Sequence, residues 1–369
     1  MKATFLIENL SGKLVFLNHA ISSRNQLPIL SNFLIEAKKG KITVSATDLE
    51  IAFVSTFSAS VEEEGVVTIP AKTFSDFLLN IGEGKATFNL KGNNLEVKSQ
   101  KIEAVFQTVP ADDFPKIIDE QGEQIAALSR SVLEKEFQKV VFSASQDGGR
   151  PALSGVLIKK EKDGFSLVAT DGYRLSLKTN ASISKGKMDI EDVLVPARVI
   201  RELLTIKDDS ENIEIFISKK TNQILFHLSE TILIGRLIEG TYPPFEKIIP
   251  TQSAVKAEFD RKQMQNAVKI CSVFARDTAN IIRFKIEKNK IIVSANTPSV
   301  GENSAEVEAV VSGGENEIAF NARYLLDFLS NIEEEDLTFE MTGPLSPGVF
   351  KIKGDSTFLH LIMPIRVQE

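Results

Sequence analysis

Two short strings recur three times along this chain, each at a spacing the size of a domain. Ile42-Thr43-Val44-Ser45-Ala46-Thr47-Asp48 returns as Phe165-Ser166-Leu167-Val168-Ala169-Thr170-Asp171 and, more loosely, as Ile291-Ile292-Val293-Ser294-Ala295-Asn296-Thr297. Val67-Thr68-Ile69-Pro70-Ala71-Lys72 returns as Val193-Leu194-Val195-Pro196-Ala197-Arg198 and as Ile318-Ala319-Phe320-Asn321-Ala322-Arg323. Ala46 to Ala169 spans 123 positions and Ala169 to Ala295 spans 126; the second marker steps by 126 and then 125. Two independent markers sharing one period imply a triplicated unit. The period exceeds the roughly 20–50 residues of solenoid repeats, so each copy should own a core. Polar stretches after Pro-containing turns, near Asp119–Glu123 and Pro250–Ala254, set the expected domains at 1–120, 124–250 and 253–369.

Within each copy, helix and strand patterns follow in one order. Copy two opens with a helix over 131–144, on which Leu133, Phe137, Val140, Val141 and Ala144 recur at helical spacing. Strands follow at Gly155–Lys159 and Phe165–Thr170, the latter closed by Asp171-Gly172, a turn dipeptide. A second helix starts near Pro196, and strands at Asn212–Ser218, Gln223–Leu228 and Thr231–Leu237 finish the copy. Two helices and about eight short strands per copy predict an α+β fold, with helices packed on one face of antiparallel sheet.

The outer faces of these helices carry the first functional hint. On the helix 260–275, Lys262, Gln265, Asn266 and Lys269 share one side, opposite Met264, Val268, Cys271 and Ala275. Arg198, Arg201 and Thr205 share a face of the second helix of copy two, and Lys135 and Lys139 lie one turn apart on its first. Six helix windows (8–24, 72–81, 131–144, 196–206, 260–275, 321–332) hold 11 basic and 7 acidic side chains, net +4 in a chain of net charge −7. Such a chain does not coat nucleic acid by bulk charge. Any such role must use local charge or geometry.

Other classes find little support. Gly82-Glu83-Gly84-Lys85-Ala86-Thr87 lacks the spacing of a phosphate loop and reads as a turn between helix and strand. His19, His227 and His360 are far apart and have no metal-ligand spacing with Cys271, so neither a metal nor another cofactor is expected. Asp48 and Asp171 are repeat equivalents, which favours a shared turn role over a catalytic pair. One cysteine excludes an internal disulfide. No apolar run is long enough to span a membrane, and the first residues lack a signal-peptide pattern, so the expected location is the cytoplasm.

At the paired Ala-Thr-Asp and Pro-Ala-Lys/Arg markers the sequence resembles the bacterial sliding clamps, the beta subunits of DNA polymerase III. The resemblance runs the whole chain, through Leu27-Pro28-Ile29-Leu30-Ser31-Asn32, Ala111-Asp112-Asp113-Phe114-Pro115, Ala169-Thr170-Asp171-Gly172-Tyr173-Arg174-Leu175 and Phe320-Asn321-Ala322-Arg323-Tyr324-Leu325-Leu326 to Met363-Pro364-Ile365-Arg366-Val367. It implies three repeated DNA-clamp domains per subunit, a head-to-tail homodimer forming a six-domain ring, and a non-catalytic processivity role. The ring would encircle double-stranded DNA without regard to sequence and dock the replicative polymerase catalytic subunit, the clamp loader and repair proteins through short linear motifs. A scaffold that binds proteins without encircling DNA is the alternative.

Residue by residue, the resemblance implies a peptide groove at Leu153, Thr170, Gly172, Tyr173, Arg174, Leu175, Pro243, Lys247, Ile248, Leu345, Ile362, Met363, Pro364, Ile365 and Arg366. Aliphatic walls and a methionine suit a Leu or Phe anchor, and Arg174 and Arg366 can orient polar peptide groups. Pro364 should weaken continuation of the last strand and leave backbone groups for a partner. Arg24 and Arg150 match family positions near DNA; Lys72, Arg198, Arg201, Lys262 and Lys269 join them by helix-face reasoning. Ala104 and Phe106, with Val273 and Phe274, match the dimer seam. The chain departs from the family pattern at Tyr173, where histidine is common, and at Ala279, where an aromatic is sometimes found.

Overall fold

The computed structural model describes residues 1–21, 27–118, 122–162, 164–181, 192–207 and 210–366. Arg24, Val367 and part of the first expected boundary (119–121) lie outside them.

Copy one runs β1 (Lys2–Leu6), α1 (Glu8–Leu17), β2 (Asn32–Lys38), β3 (Lys41–Thr47), β4 (Ile51–Ser58), β5 (Ser60–Glu63), β6 (Gly65–Pro70), α2 (Ala71–Asn80), β7 (Lys85–Lys91), β8 (Asn94–Ser99) and β9 (Ile102–Gln107). Copy two runs β10 (Glu123–Ser129), α3 (Arg130–Val132), a π turn (Leu133–Phe137), α4 (Gln138–Val141), β11 (Gly155–Glu161), β12 (Gly164–Thr170), β13 (Arg174–Ala181), β14 (Val193–Pro196), α5 (Ala197–Thr205), β15 (Asn212–Ser218), β16 (Gln223–His227) and β17 (Thr231–Arg236). Copy three runs β18 (Val255–Asp260), α6 (Arg261–Ala275), β19 (Ile281–Glu287), β20 (Lys290–Thr297), β21 (Gly301–Gly313), β22 (Asn316–Asn321), α7 (Ala322–Asn331), β23 (Asp336–Met341), β24 (Gly348–Ile352) and β25 (Phe358–Ile362). The repeated order is the expected one, all strand pairs are antiparallel among the described residues, and the class is α+β.

Two helices are less regular than their periodicity predicts. α1 ends at Leu17 and tightens into a 3₁₀ turn at Asn18–Ala20, where a helix through residue 24 is expected. The opening helix of copy two is α3, the π turn and α4 in series; Leu133 and Phe137, at the two ends of that turn, are both buried. The second marker begins a helix each time. Pro70 and Pro196 immediately precede α2 and α5, and Asn321 caps α7 by accepting from Arg323 N.

By contact density the chain divides into two compact units, and the division passes through copy two. The first contains Met1–Arg130 and Arg198–Leu237, and the remaining described residues form the second. In the first, a sheet β5-β1-β7-β8-β9 accompanies a sheet β10-β15-β16-β17-β4-β3-β2-β6. In the second, one sheet runs β14-β11-β12-β13-β25-β24-β23-β18-β21-β20-β19-β22. The copies are therefore stitched by strands: β17 of copy two pairs with β4 of copy one, and β25 of copy three pairs with β13 of copy two.

Phenylalanine supplies much of both cores in a chain with 24 Phe and no Trp. Phe33, Phe53, Phe74 and Phe88 are fully buried in the first unit, and Phe284, Phe320, Phe328 and Phe339 in the second. Each buried ring is worth about 1.5–3 kcal/mol. On α6 the same logic fixes the face: Met264, Val268, Cys271 and Ala275 are all buried, with Lys262, Asn266 and Lys269 exposed. Burial pushes the Cys271 thiol up to about 11, so it behaves as a small hydrophobe.

Candidate functional site

The Thr-Asp marker folds into the same turn in copies one and two. In copy one, Thr47 Oγ1 donates to Ile51 O at 2.9 Å, and Asp48 Oδ1 accepts from the N–H groups of Glu50 (3.0 Å) and Ile51 (2.9 Å). In copy two, Thr170 Oγ1 donates to Arg174 O at 2.5 Å, and Asp171 Oδ1 accepts from Tyr173 (2.8 Å) and Arg174 (3.0 Å). Each aspartate thus satisfies backbone donors that a tight turn would leave open. The third residue needs positive φ in both: Leu49 at 78° and Gly172 at 93°. The paired carboxylates are turn residues, as their repeat equivalence implies.

The remaining carboxylate oxygen of each turn meets a guanidinium. Asp48 Oδ2 accepts from Arg198 Nη1 at 2.5 Å, and Arg198 Nη2 donates to His19 O at 2.8 Å. Asp171 Oδ2 accepts from Arg174 Nε at 3.1 Å. Arg174 Nη1 then donates to Asp327 Oδ2 at 2.6 Å and Nη2 to Phe142 O at 3.0 Å, and its guanidinium carbon lies 4.8 Å from the centroid of the Tyr324 ring. Arg174 is only 8% exposed. Each guanidinium nitrogen donates to an acceptor in this chain, so Arg174 ties its own turn together whatever it offers a peptide.

Around this hub the structure gathers much of the expected groove. β13 and β25 pair with Arg174 opposite Ile362 and Leu175 opposite Leu361, and Met363 N donates to Tyr173 O at 2.8 Å. Leu175 and Leu361 share an apolar cluster with Leu157, Leu177 and Phe245, and Ala152, Ile238 and Tyr242 pack on it. Pro243 lines an adjoining pocket of about 360 Å³ together with Leu157, Ile238, Tyr242 and Phe245. Tyr173 (58% exposed), Ile248 (44%) and Met363 (37%) stand at the surface. Lys247 is exposed on the 3₁₀ turn Phe245–Ile248, and Arg366 is exposed at the end of the described chain.

Other positions are peripheral or already engaged. Leu153 is half-buried and its carbonyl accepts from Ser145 N, while Leu345 is exposed on the β23–β24 loop. β25 ends at Ile362, two residues before Pro364, and the neighbouring N–H groups are not left free. Met363 N is bonded to Tyr173, and Ile365 N donates to Ala319 O at 2.8 Å because the chain continues alongside β22. Ala279 holds a positive φ of 53° in the turn after α6.

The expected DNA-facing cations fall into two groups. Lys72 and Lys269 are exposed on α2 and α6 with no acidic partner among the described residues. Arg198 is tied to Asp48, Lys262 to Glu335 at 2.9 Å, and Arg150 to Asp147 at 3.5 Å; Arg201 is half-buried and engaged. Lys139, placed on a helix face by its spacing with Lys135, is buried and paired with Glu334 at 2.5 Å. At the expected seam Ala104 is half-buried, and Phe106 packs edge-on against Phe74 and Phe77 in its own core, so β9 exposes Ile102 and Val105 instead. Val273 is 53% exposed; Phe274 packs on the core of copy three and its carbonyl accepts from Thr297 Oγ1 at 2.5 Å.

Sequence reasoning missed Phe142, Asp327 and Tyr324 as partners of Arg174. Tyr324 and Asp327 are three apart on α7, a spacing that puts them on one helix face, but nothing local names the guanidinium between them. It also missed His360. This buried ring is stacked on Phe328 at 4.8 Å, with Nδ1 2.8 Å from Ser176 Oγ, and burial holds its pKa well below the usual value.

Among the described residues no cluster of His, Cys, Asp and Glu could hold a metal, and no helix is long and apolar enough to cross a membrane. Family models of the DNA polymerase III beta subunit match three consecutive parts of the chain: the N-terminal domain over 1–118, the central domain over 127–244 and the C-terminal domain over 246–366. The beta sliding clamp of Synechocystis sp. is 28% identical over 390 residues, covering all of both chains. The crystal structure of the DNA polymerase sliding clamp from Bacillus subtilis covers all of both chains with a TM-score of 0.93 at 25% identity. A sliding clamp from Bartonella birtlesii, solved bound to griselimycin, gives 0.92 at 26%, again over both whole chains. With all three of its copies matched in order by the corresponding domains, the chain belongs to the DNA polymerase III beta-subunit family, the beta sliding clamps.

Proposed function

We propose that two copies of this chain join head to tail into a ring of six repeats that threads duplex DNA, and that the site around Tyr173 and Met363 docks linear peptides. Clamping DNA as a non-catalytic processivity factor is the function of the family. The dimer is carried by one observation. The same inter-copy strand join occurs twice within the chain, β4 with β17 and β13 with β25. By repeat offset, the strands that would make it a third time are the stretch 301–308 of β21 and β9. β9 is an edge strand, and 301–308 pairs only with β20 among the described residues. Exposed Ile102 and Val105 make β9 an edge that asks for cover. A seam there uses Ala104 and Phe106 through their backbone, with Val273 and Phe274 on the other copy.

The dimensions agree with enclosure. Twelve lining helices at roughly 10 Å between axes make a circle about 120 Å around and about 38 Å across. Removing one helix diameter of about 10 Å leaves a bore of about 28 Å. Duplex DNA, on the order of 20 Å across with grooves about 8 Å deep, passes with room for water. A closed ring is retained by topology, so weak phosphate contacts that exchange quickly suffice, and a net charge of −7 is no obstacle. Lys72 and Lys269 are the first candidates for those contacts, followed by Arg24, Arg150, Arg198, Arg201 and Lys262. The domains are proposed at 1–120, 124–250 and 253–369, with action in the cytoplasm.

Sedimentation at micromolar concentration should give twice the chain mass, and Val105→Pro should give a monomer. The wild-type protein loaded by a clamp loader should stay on nicked circular DNA and leave it on linearisation. A monomeric wild-type clamp, or equal retention on both DNAs, overturns the ring. For the groove, Met363→Ala should weaken a polymerase-derived peptide about tenfold or more, the loss of a central apolar anchor contact. Equal binding removes the assignment.

A further inference from the structure

The buried hub beneath the groove carries a consequence for residues that the peptide itself does not reach. Resting on the reading of this site as a peptide groove, we infer that Asp327 is a positioning residue: it holds Arg174, and through Arg174 the turn that presents Tyr173.

Arg174 receives three acceptors from three places. Asp171 belongs to its own turn, Phe142 O lies just after α4 of copy two, and Asp327 stands on α7 of copy three. Asp327 is thus the ionic tie between the turn and α7. The same helix offers a second hold, because Tyr324 lies against the Arg174 guanidinium at 4.8 Å on the face that carries Asp327. The exposed Tyr173 ring in turn lies 6.5 Å from Tyr324, at 17° to it. A guanidinium keeps its charge, and its planar fork bonds only acceptors placed in its own geometry. With the Asp327 charge removed, Arg174 keeps two acceptors in a site that is 8% open to water, and the nitrogen facing α7 loses its counter-charge. The balance is then restored by moving the side chain outward, which moves Tyr173 and the Met363 N–H bond to its carbonyl. Copy two shows the acid to be a repeated fixture of this helix face. Glu202 on α5, one period earlier, takes His19 Nδ1 at 2.6 Å instead of an arginine.

The chain carries its own reporter for this. It has three tyrosines and no tryptophan. Tyr173 and Tyr324 form the stack, and Tyr242 packs on the Leu175 cluster, so the tyrosine signal of the whole protein comes from this region.

The test uses the full-length dimer and a fluorescein-labelled ten-residue peptide from a bacterial replicative polymerase carrying a Leu and a Phe anchor. Asp327→Asn should weaken binding about tenfold, the size expected for one hydrogen bond to a charged group. It should also shift the tyrosine band of the near-ultraviolet circular dichroism, with the far-ultraviolet spectrum and dimer mass unchanged. Asp327→Glu should recover most of both. Arg174→Lys, which keeps the charge and loses the fork, should match Asp327→Asn. Met363→Ala serves as the control for the groove itself. If Met363→Ala weakens binding and Asp327→Asn does not, the positioning role is overturned while the groove stands. If neither weakens it, the groove falls and the positioning role with it. A loss in Asp327→Asn with an unchanged tyrosine band, or one that Asp327→Glu does not recover, also overturns positioning. A variant with an altered far-ultraviolet spectrum is judged on Arg174→Lys by the same criteria.

Discussion

The Asp48 and Asp171 turns are one local structure put to two uses. Both begin with Thr-Asp, both close through the threonine hydroxyl, and both cap two backbone N–H groups with the aspartate. They differ in what the next three residues project. Leu49-Glu50-Ile51 gives a strained leucine and a strand start, and the carboxylate is met by Arg198 from α5. Gly172-Tyr173-Arg174 gives an unstrained glycine, an exposed ring and an internal guanidinium. Repetition conserves the turn because its bonds are local. Function enters through side chains that leave it.

Removing the guanidinium from each turn should break the comparison most. Arg174→Ala leaves Asp171, a side chain only 13% exposed, without its guanidinium, and about 3 kcal/mol of stability should be lost in urea unfolding. Arg198→Ala acts on a side chain 46% exposed, and a loss of about 1 kcal/mol is expected. Equal losses would make the two clasps the same device.

Exchanging the strained residues should sharpen it by less. Leu49→Gly relieves a left-handed backbone and should leave stability level or raise it by up to about 1 kcal/mol. Gly172→Ala should lower it by about 1 kcal/mol and, because the new Cβ would meet Arg150 Nη1 at 3.0 Å, should perturb peptide binding as well. Opposite signs in thermal unfolding would confirm that the turn tolerates leucine only at a cost.

The second clasp should carry a pH dependence. His360 lies on β25 against Ser176, and burial, with the nearby Arg174 charge, holds its folded pKa well below 6.5. In the unfolded chain a histidine titrates near about 6.5, so below that pH the unfolded state binds a proton that the native state refuses. This contribution to stability is full above about pH 6.5 and is lost as pH falls from there toward the folded value. His360→Phe, in a pocket already lined by Phe328 and Phe142, should flatten that slope in urea midpoints measured from neutral to mildly acid pH.

The smallest effect concerns DNA. Lys72→Ala should lower the slope of log affinity against log salt by about 1, one phosphate contact's worth. Arg198→Ala, whose charge is already answered by Asp48, should lower it by clearly less. Equal changes would rank Arg198 with Lys72 as a phosphate contact.

Much of the fold was legible because its signals are local. The repeat markers, the apolar faces of α6 and α5, and the strands at Asn212–Ser218 and Gln223–His227 follow from periodicity over a few residues. The residues proposed for the groove come mainly from the family resemblance, and the contacts that side chains make were less legible. Arg174 reads as a cation that can orient peptide groups, and it is a buried hub. Phe106 reads as a seam residue and packs inward. Lys139 reads as a helix-face lysine and is a buried ion-pair partner. In each case charge or size is visible in the sequence, and the direction of the side chain depends on a neighbour far along the chain.

By itself the sequence determined the triplication, the order of elements within each copy and the Thr-Asp turn, all of which rest on contacts between residues a few positions apart. Tertiary structure alone decided which distant carboxylate or guanidinium each turn meets. Arg174 reaches Asp327 across 153 positions and Arg198 reaches Asp48 across 150. Those meetings follow from the β13–β25 and β17–β4 joins, which bring copy to copy by backbone hydrogen bonds that any side chain can accompany.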